Sequence, residues 1–250
     1  MLQKLREIQV GREFDTELSR LKSESHVEMT DVEYFRQLVN LVYDTGFRGS
    51  VVRKHEAELS EAFANYDFRT VARHDFPSLF AASPIKNRKK VKGCLKNAKQ
   101  LVKLVGEYGS FETYLRSFGD VAHDVKSFMK MQRDMRSRFA YLGPTNFDAF
   151  MKYIGYDALK PDLHVRRIMS RLGLTSSPKC SEEAVLEAAM RIRDATGEQL
   201  RIIDQAFYTY GSSDHGRVKK AICGDKPLCV ECYLPKYCDY YKRRHTEAAS

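Results

Sequence analysis

Four of the six cysteines fall in one short stretch, CGDKPLCVECYLPKYC, as Cys223, Cys229, Cys232 and Cys238 in the pattern C-x5-C-x2-C-x5-C. Thiolates are soft donors, so four of them suit zinc or an iron–sulfur cluster. The Cys229–Cys232 pair alone could serve redox exchange, and disulfides could link the set. Asp162 offers a second kind of chemistry. It follows Lys160-Pro161 and precedes LHVRRIMSRLG, the position of a helix N-cap. A carboxylate that accepts amide hydrogen bonds at a helix start is favoured in its ionised form. A third stretch, Leu142-Gly143-Pro144-Thr145, reads as a tight turn between two amphipathic helices. Gly143 lets the chain turn closely and Pro144 suits a first helical position. Helix starts and glycine turns leave N–H groups free for a phosphate oxygen.

These residues sit in a chain of 250 residues, 43% hydrophobic and 30% charged, enough for one large domain or two modest ones. No apolar run approaches the roughly 20 residues of a membrane helix, and the start, MLQKLREIQVGREFDTEL, has no signal-peptide core. A cytoplasmic, reduced protein is expected, which disfavours disulfides. Cys94 and Cys180 lack close cysteine neighbours and read as small buried residues. The formal net charge is +9. Eight basic residues and no acid lie between Lys86 and Lys103, and eight more between Arg217 and Arg244 face only Asp225, Glu231 and Asp239. Two such zones are either solvated faces or the footprint of a nucleic acid, and the second reading is preferred.

The elements that must position these groups read as helices throughout, so the fold class is all-α. Thr30-x-x-Glu33 is a capping box opening VEYFRQLVNLVYDTG. Val91, Leu95, Ala98, Val102 and Val105 form an apolar stripe, with Lys89, Lys92, Lys96, Lys99 and Lys103 on another face. Phe128, Met131, Met135 and Phe139 make a further stripe, and Phe147, Phe150, Met151 and Ile154 another, ended by Gly155. Ser181 opens a helix through Arg193 that Gly197 closes. Strand alternation and internal repeats are not evident.

RFAYLGPTNFDAFMKYIG, from Arg138 to Gly155, resembles the hairpin of the helix-hairpin-helix DNA glycosylase superfamily. GYDALKPDLHVRRIMSRLGL resembles the segment carrying that superfamily's essential aspartate in a D-x-H setting, with Asp162 and His164 at those positions. The cysteine stretch, with a Lys-Pro inside its first loop, is similar to the end of endonuclease III-type glycosylases. IKNRKKVKGCLKNAKQL, GSFETYLRSFG and the hairpin are similar to the 3-methyladenine DNA glycosylase I family. The chain departs from both groups: endonuclease III-type proteins place six residues, not five, between the first two cysteines, and the 3-methyladenine family lacks the aspartate.

The resemblance implies two helical subdomains flanking a DNA-binding cleft: a central bundle over 29–155 with the hairpin at 138–155, and a second unit from 1–28 plus 156–250 with a [4Fe–4S] loop at 223–238. Zinc is the alternative occupant. Asp162 is the implied catalytic group, supporting an oxocarbenium-like sugar and orienting water. Thr145 stands where bifunctional members carry lysine, so no Schiff base and no strand cleavage are expected. Leu142, Gly143, Pro144, Thr145 and Lys226 are expected to meet DNA, and Phe47 or Arg48, in the loop from Asp44 to Gly49, to fill the space left by an extruded base. Tyr43, Asp44 and Tyr153 are candidates for the base pocket. The expected protein is a monomer that acts on double-stranded DNA containing a damaged base, with no membrane partner. Its substrate would be an alkylated purine such as 3-methyladenine, or else uracil, hypoxanthine or thymine in a G·T mismatch. The reading from another class is a non-catalytic iron–sulfur DNA-binding protein.

Overall fold

The computed structural model describes residues 11–23, 28–47, 49–212 and 221–246, and every regular element among them is helical. The helices are α1 (Gly11–Ser23), α2 (Asp31–Asp44), α3 (Gly49–Lys54), α4 (Glu56–Ala62), α5 (Phe68–Arg73), α6 (Phe76–Ala82) and α7 (Arg88–Tyr108). They continue as α8 (Phe111–Arg116), α9 (Val125–Arg138), α10 (Pro144–Tyr153), α11 (Leu163–Arg171), α12 (Glu182–Thr196), α13 (Leu200–Gly211) and α14 (Asp239–Thr246). Among the described residues no helix is long and apolar enough to cross a membrane. The chain divides into two compact units, one of Met1–Ser25 with Asp157–Ser250, the other His26–Tyr156.

In the unit His26–Tyr156 the capping box forms as its residue types require. Thr30 accepts from the Glu33 amide at 3.3 Å, and Glu33 accepts from the Thr30 amide at 2.7 Å. The central helix α7 packs against α2 and α5 and contributes Val91, Cys94, Ala98 and Leu101 to the core. Phe111 lies at the centre of an aromatic cluster, with Tyr34, Tyr114, Phe139 and Phe150 at ring separations of 5.0 to 6.5 Å. Beside it Glu112 is buried, accepting from the Tyr34 hydroxyl and from Arg116 Nε at 2.7 Å. A buried carboxylate without such donors would be costly.

The other unit has its own core. Val165, Ile168 and Met169 of α11 pack with Val185 and Ala189 of α12 and with Ile202, Phe207 and Tyr210 of α13, and Leu18 of α1 joins them. Gly197, in the left-handed region at φ 70°, ends α12. Close packing of α11 on α13 depends on Gly211, where an added Cβ would lie 2.9 Å from the Cβ of His164.

The hairpin differs from its sequence reading in one respect. Gly143 has an ordinary φ of −63°, whereas Tyr141 takes the left-handed conformation at φ 64°. Tertiary contacts impose it. Asn97 of α7 accepts from the Ala140 amide at 2.7 Å and donates to its carbonyl at 3.2 Å. Asn146 Nδ2 donates to the Tyr141 carbonyl at 2.7 Å, and the Tyr141 ring lies over Gly93, where a Cβ would meet it at 2.8 Å. Gly143 serves differently: among the described residues nothing lies within 4 Å of the position its Cβ would take, which leaves space beside the turn.

Lys90 is buried on the apolar side of α7, only 4% exposed. Its ammonium donates to the carbonyl of Val42 and, at 2.5 Å, to that of Thr45, closing the end of α2. It also lies 4.9 Å from the Phe47 ring and 5.1 Å from that of Tyr141. Burial holds its pKa below the usual lysine range. Lys90→Met would keep the stem and leave two carbonyls without a donor. The expected loss is about 2 kcal/mol in urea unfolding. Unchanged stability would contradict this role.

Candidate catalytic and DNA-binding sites

Asp162 caps α11, and its geometry divides the carboxylate into two parts. Oδ1 accepts from the His164 amide at 2.8 Å and the Val165 amide at 3.0 Å. Among the described residues Oδ2 has no partner, and the side chain is half-buried. The capping role therefore consumes one oxygen and leaves the other available. The approach to the cap is fixed on both sides. Asp204 of α13 accepts from the Lys160 amide at 2.9 Å, and Arg166 donates to the carbonyls of Pro161 at 2.9 Å and Cys180 at 2.7 Å.

His164 does not join Asp162 in one site. The Gly211 carbonyl accepts from its Nδ1 at 2.9 Å and from Arg167 Nη2 at 2.8 Å, and the His164 ring stands edge-on to Tyr208. It ties α11 to α13. The opposite end of α11 enters the cysteine loop. Arg167 donates to the Cys223 carbonyl at 3.1 Å and pairs with Asp225. Arg171 Nη1 donates to Cys223 Sγ at 3.3 Å and to the Gly224 carbonyl at 2.7 Å. The Cys238 thiol donates to the Arg171 carbonyl at 3.3 Å. Cys232 Sγ accepts from the Tyr210 hydroxyl at 3.1 Å and from the Leu234 amide at 3.4 Å.

All four loop cysteines carry free thiols. Burial pushes the Cys223 thiol up against the pull of Arg171, and burial also raises that of Cys229, which feels Cys238 and Cys232. Thiols are the donor type that a soft centre takes, and two of these sulfurs already receive hydrogen bonds from N–H or O–H groups of the kind that tune such centres. Among the described residues, no three His, Cys, Asp or Glu side chains are drawn together closely enough to hold a single metal ion. Lys226 is exposed on the same loop.

In the unit His26–Tyr156, two of the three residues proposed for a base pocket stand together. The Tyr153 hydroxyl lies 3.5 Å from Asp44 Oδ2, with Tyr153 42% exposed. Burial holds the Asp44 carboxyl above the usual range, opposed by Tyr153, Arg53 and Lys90. Tyr43 is fully buried, its hydroxyl 3.0 Å from Ser83 Oγ, so its ring is out of reach of a base at the surface. Phe47 is half-buried beside Lys90, and Arg48 lies outside the described residues. Of the hairpin residues, Leu142 is buried while Gly143 and Pro144 are exposed, and only the backbone of Thr145 is described. Sequence reading missed Lys90, although it lies four residues before buried Cys94, on the apolar side of its helix. It also missed Arg133 and Arg136, which line an open cavity of 510 Å³ with Ser137, Phe139, Tyr141, Leu142 and Gly143.

Residues 25–158 match the methyladenine glycosylase family. A 90-residue segment is 34% identical to endonuclease III of Thermotoga maritima, covering 35% of this chain and 36% of that protein. The chain thus spans about a third of the length of this curated relative. No solved structure matches it. The family match covers more than half of the chain, across the unit that carries the hairpin and the Asp44–Tyr153 pair, and on that ground the protein belongs to the methyladenine glycosylase family, within the helix-hairpin-helix DNA glycosylase superfamily.

Proposed function

We propose that the protein is a DNA glycosylase of base excision repair that extrudes a damaged nucleotide and hydrolyses its N-glycosidic bond, with an alkylated purine such as 3-methyladenine as substrate. The observation that carries the reading is the division of labour at Asp162: one oxygen is committed to the helix cap and the other has no partner among the described residues. In the proposed reaction the C1′–N bond breaks and its electron pair leaves with the base. Oδ2 supports the positive charge developing on the sugar. The same oxygen orients the water that bonds to C1′ and takes its proton. A base within the duplex is inaccessible to such attack and must first be swung out. An alkylated purine is already cationic, so the departing base becomes neutral and needs little acid assistance. Asp44, a carboxyl with a raised pKa beside the exposed ring of Tyr153, supplies polar and stacking contacts for such a base. The hairpin from Leu142 to Thr145 holds the backbone together with Lys226, and Phe47 or Arg48 fills the space left by the extruded base.

Cys223, Cys229, Cys232 and Cys238 would hold a [4Fe–4S] cluster, whose contribution is to staple a loop that has little core of its own. Arg171 and Tyr210 already donate to two of the sulfurs. Protein purified without oxygen is expected to be brown, with absorbance at about 400 nm and iron on elemental analysis. Colourless protein carrying one zinc would assign the site to zinc.

The name of the Thermotoga maritima relative describes a strand-cutting enzyme. This chain has Thr145 in the hairpin, with no amine for a Schiff base. Borohydride is therefore expected to trap no covalent protein–DNA adduct, and a trapped adduct would establish lyase chemistry.

Asp162→Asn tests the central assignment. Asparagine caps helices as well as aspartate does, so the fold should persist. Base release, read as alkali-revealed cleavage across duplexes that each carry one lesion, should fall by about a hundredfold or more. Equal release by both proteins would remove Asp162 from the mechanism. The strongest wild-type signal is expected on 3-methyladenine. Strongest release of uracil, hypoxanthine or mismatched thymine would redirect the substrate. No release from any duplex, with DNA still bound, would favour a non-catalytic iron–sulfur binding protein.

A further inference from the structure

The cavity beside the hairpin turn is lined by two arginines whose charges meet no carboxylate among the described residues. Arg133 and Arg136 are exposed and lie three residues apart on α9, so their side chains leave the same face. The carboxylate between them in sequence, Asp134, is already committed. It accepts two hydrogen bonds from Arg138, at 2.6 and 3.1 Å, and one from the Tyr114 hydroxyl at 2.7 Å. Among the described residues Arg133 makes no ion pair, and the one internal contact of Arg136 is a long 3.5 Å approach to Gln132 Oε1. The turn lining the same cavity has spare donors as well. The amides of Tyr141, Leu142 and Gly143 find no acceptor among the described residues, and at Gly143 there is open space where a Cβ would stand. Two planar guanidiniums beside one opening, with unpaired amides in the turn that lines it, suit the oxygens of adjacent backbone phosphates.

We propose that Arg133 and Arg136 form a phosphate-binding subsite for the DNA backbone, extending the hairpin contact along the strand onto α9. The proposal rests on the glycosylase reading for the identity of its ligand. The three-residue spacing suits successive phosphates of one strand, each arginine taking one. Such contacts carry no sequence information and act through counterion release. They fix the register in which the duplex meets the turn.

The test uses the full-length protein and a fluorescein-labelled undamaged duplex, with affinity read by anisotropy across a potassium chloride series. The wild type is compared with Arg133→Ala, Arg136→Ala, the double variant, and Lys179→Ala as a control on the other unit. Each arginine removed should flatten the plot of log K against log salt by about 1, and the double variant by about 2. Lys179→Ala should leave it unchanged. The double Arg→Lys variant should retain most of the slope. Both arginines are exposed, so melting temperatures should match; if the alanine protein melts early, the double Arg→Gln variant gives the same reading. Wild-type binding with an unaltered slope in the double variant would overturn the subsite and leave the glycosylase reading standing. Failure of the wild type to bind duplex would overturn both. A second arm titrates inorganic phosphate at constant ionic strength. Little displacement of DNA in the low millimolar range is expected, whereas tight phosphate binding that depends on the arginines while the DNA slope does not would reassign the site to a free anion.

Discussion

One short helix carries two obligations at once. Asp162 begins α11, and Arg167 and Arg171 in its last two turns anchor the loop of four cysteines. Nine residues at 1.5 Å each make a rod of about 13 Å. Anything that shifts the cysteine loop acts on the same rod that holds the carboxylate. Gly211 fixes its lateral position: there is no room for a β-carbon between α13 and His164, and the Gly211 carbonyl binds both His164 and Arg167. The free oxygen of Asp162 is thus held by helix geometry at one end and by buried guanidinium hydrogen bonds at the other. A network of this kind rigidifies when every donor and acceptor is satisfied. The thiolate centre proposed for the loop would complete it.

A comparable logic governs the other unit, with α7 as the support. From one face it presents Lys90 to the end of α2, Gly93 to the ring of Tyr141 and Asn97 to the backbone of Ala140. Asn146 bridges the two supported segments, donating to both Thr45 Oγ1 and the Tyr141 carbonyl. The loop that carries Asp44 and the turn that carries Gly143 are therefore held by the same helix and cross-linked to each other. Polar residues occupy positions that apolar ones would fill in a plain bundle, because the segments they hold are irregular backbone with carbonyls and amides to satisfy.

Local signals were legible in the sequence wherever one residue type dictates one conformation. Thr30 with Glu33 gave the capping box, Gly197 the helix end, and Asp162 its cap, because each outcome depends on neighbours within four residues. The apolar stripes at Phe128–Met135 and Phe147–Ile154 likewise match buried faces. What could not be read depends on distant partners. Tyr141 is left-handed because Asn97 and Gly93 hold it there, and Ala64, Asn65 and Tyr66 adopt φ of 53°, 53° and 63° in a turn with buried Phe63 and Tyr66 at its ends. Lys90 lies in a basic run in the sequence, and what sets it apart is a pair of carbonyl partners forty-five and forty-eight residues away. In the candidate site, the Asp44–Tyr153 pairing crosses 109 residues. The vacant charges of Arg133 and Arg136 follow from Arg138 having claimed Asp134, a choice among neighbours that spacing alone leaves open.

The most direct measurement is the distance between Asp162 Oδ2 and the sugar in a crystal of the protein with duplex DNA bearing a stable abasic-site analogue. That oxygen is expected about 3–3.5 Å from the C1′ position or from a water in line with it. A complex in which Oδ2 is turned into the protein, or in which another carboxylate occupies that position, would contradict it.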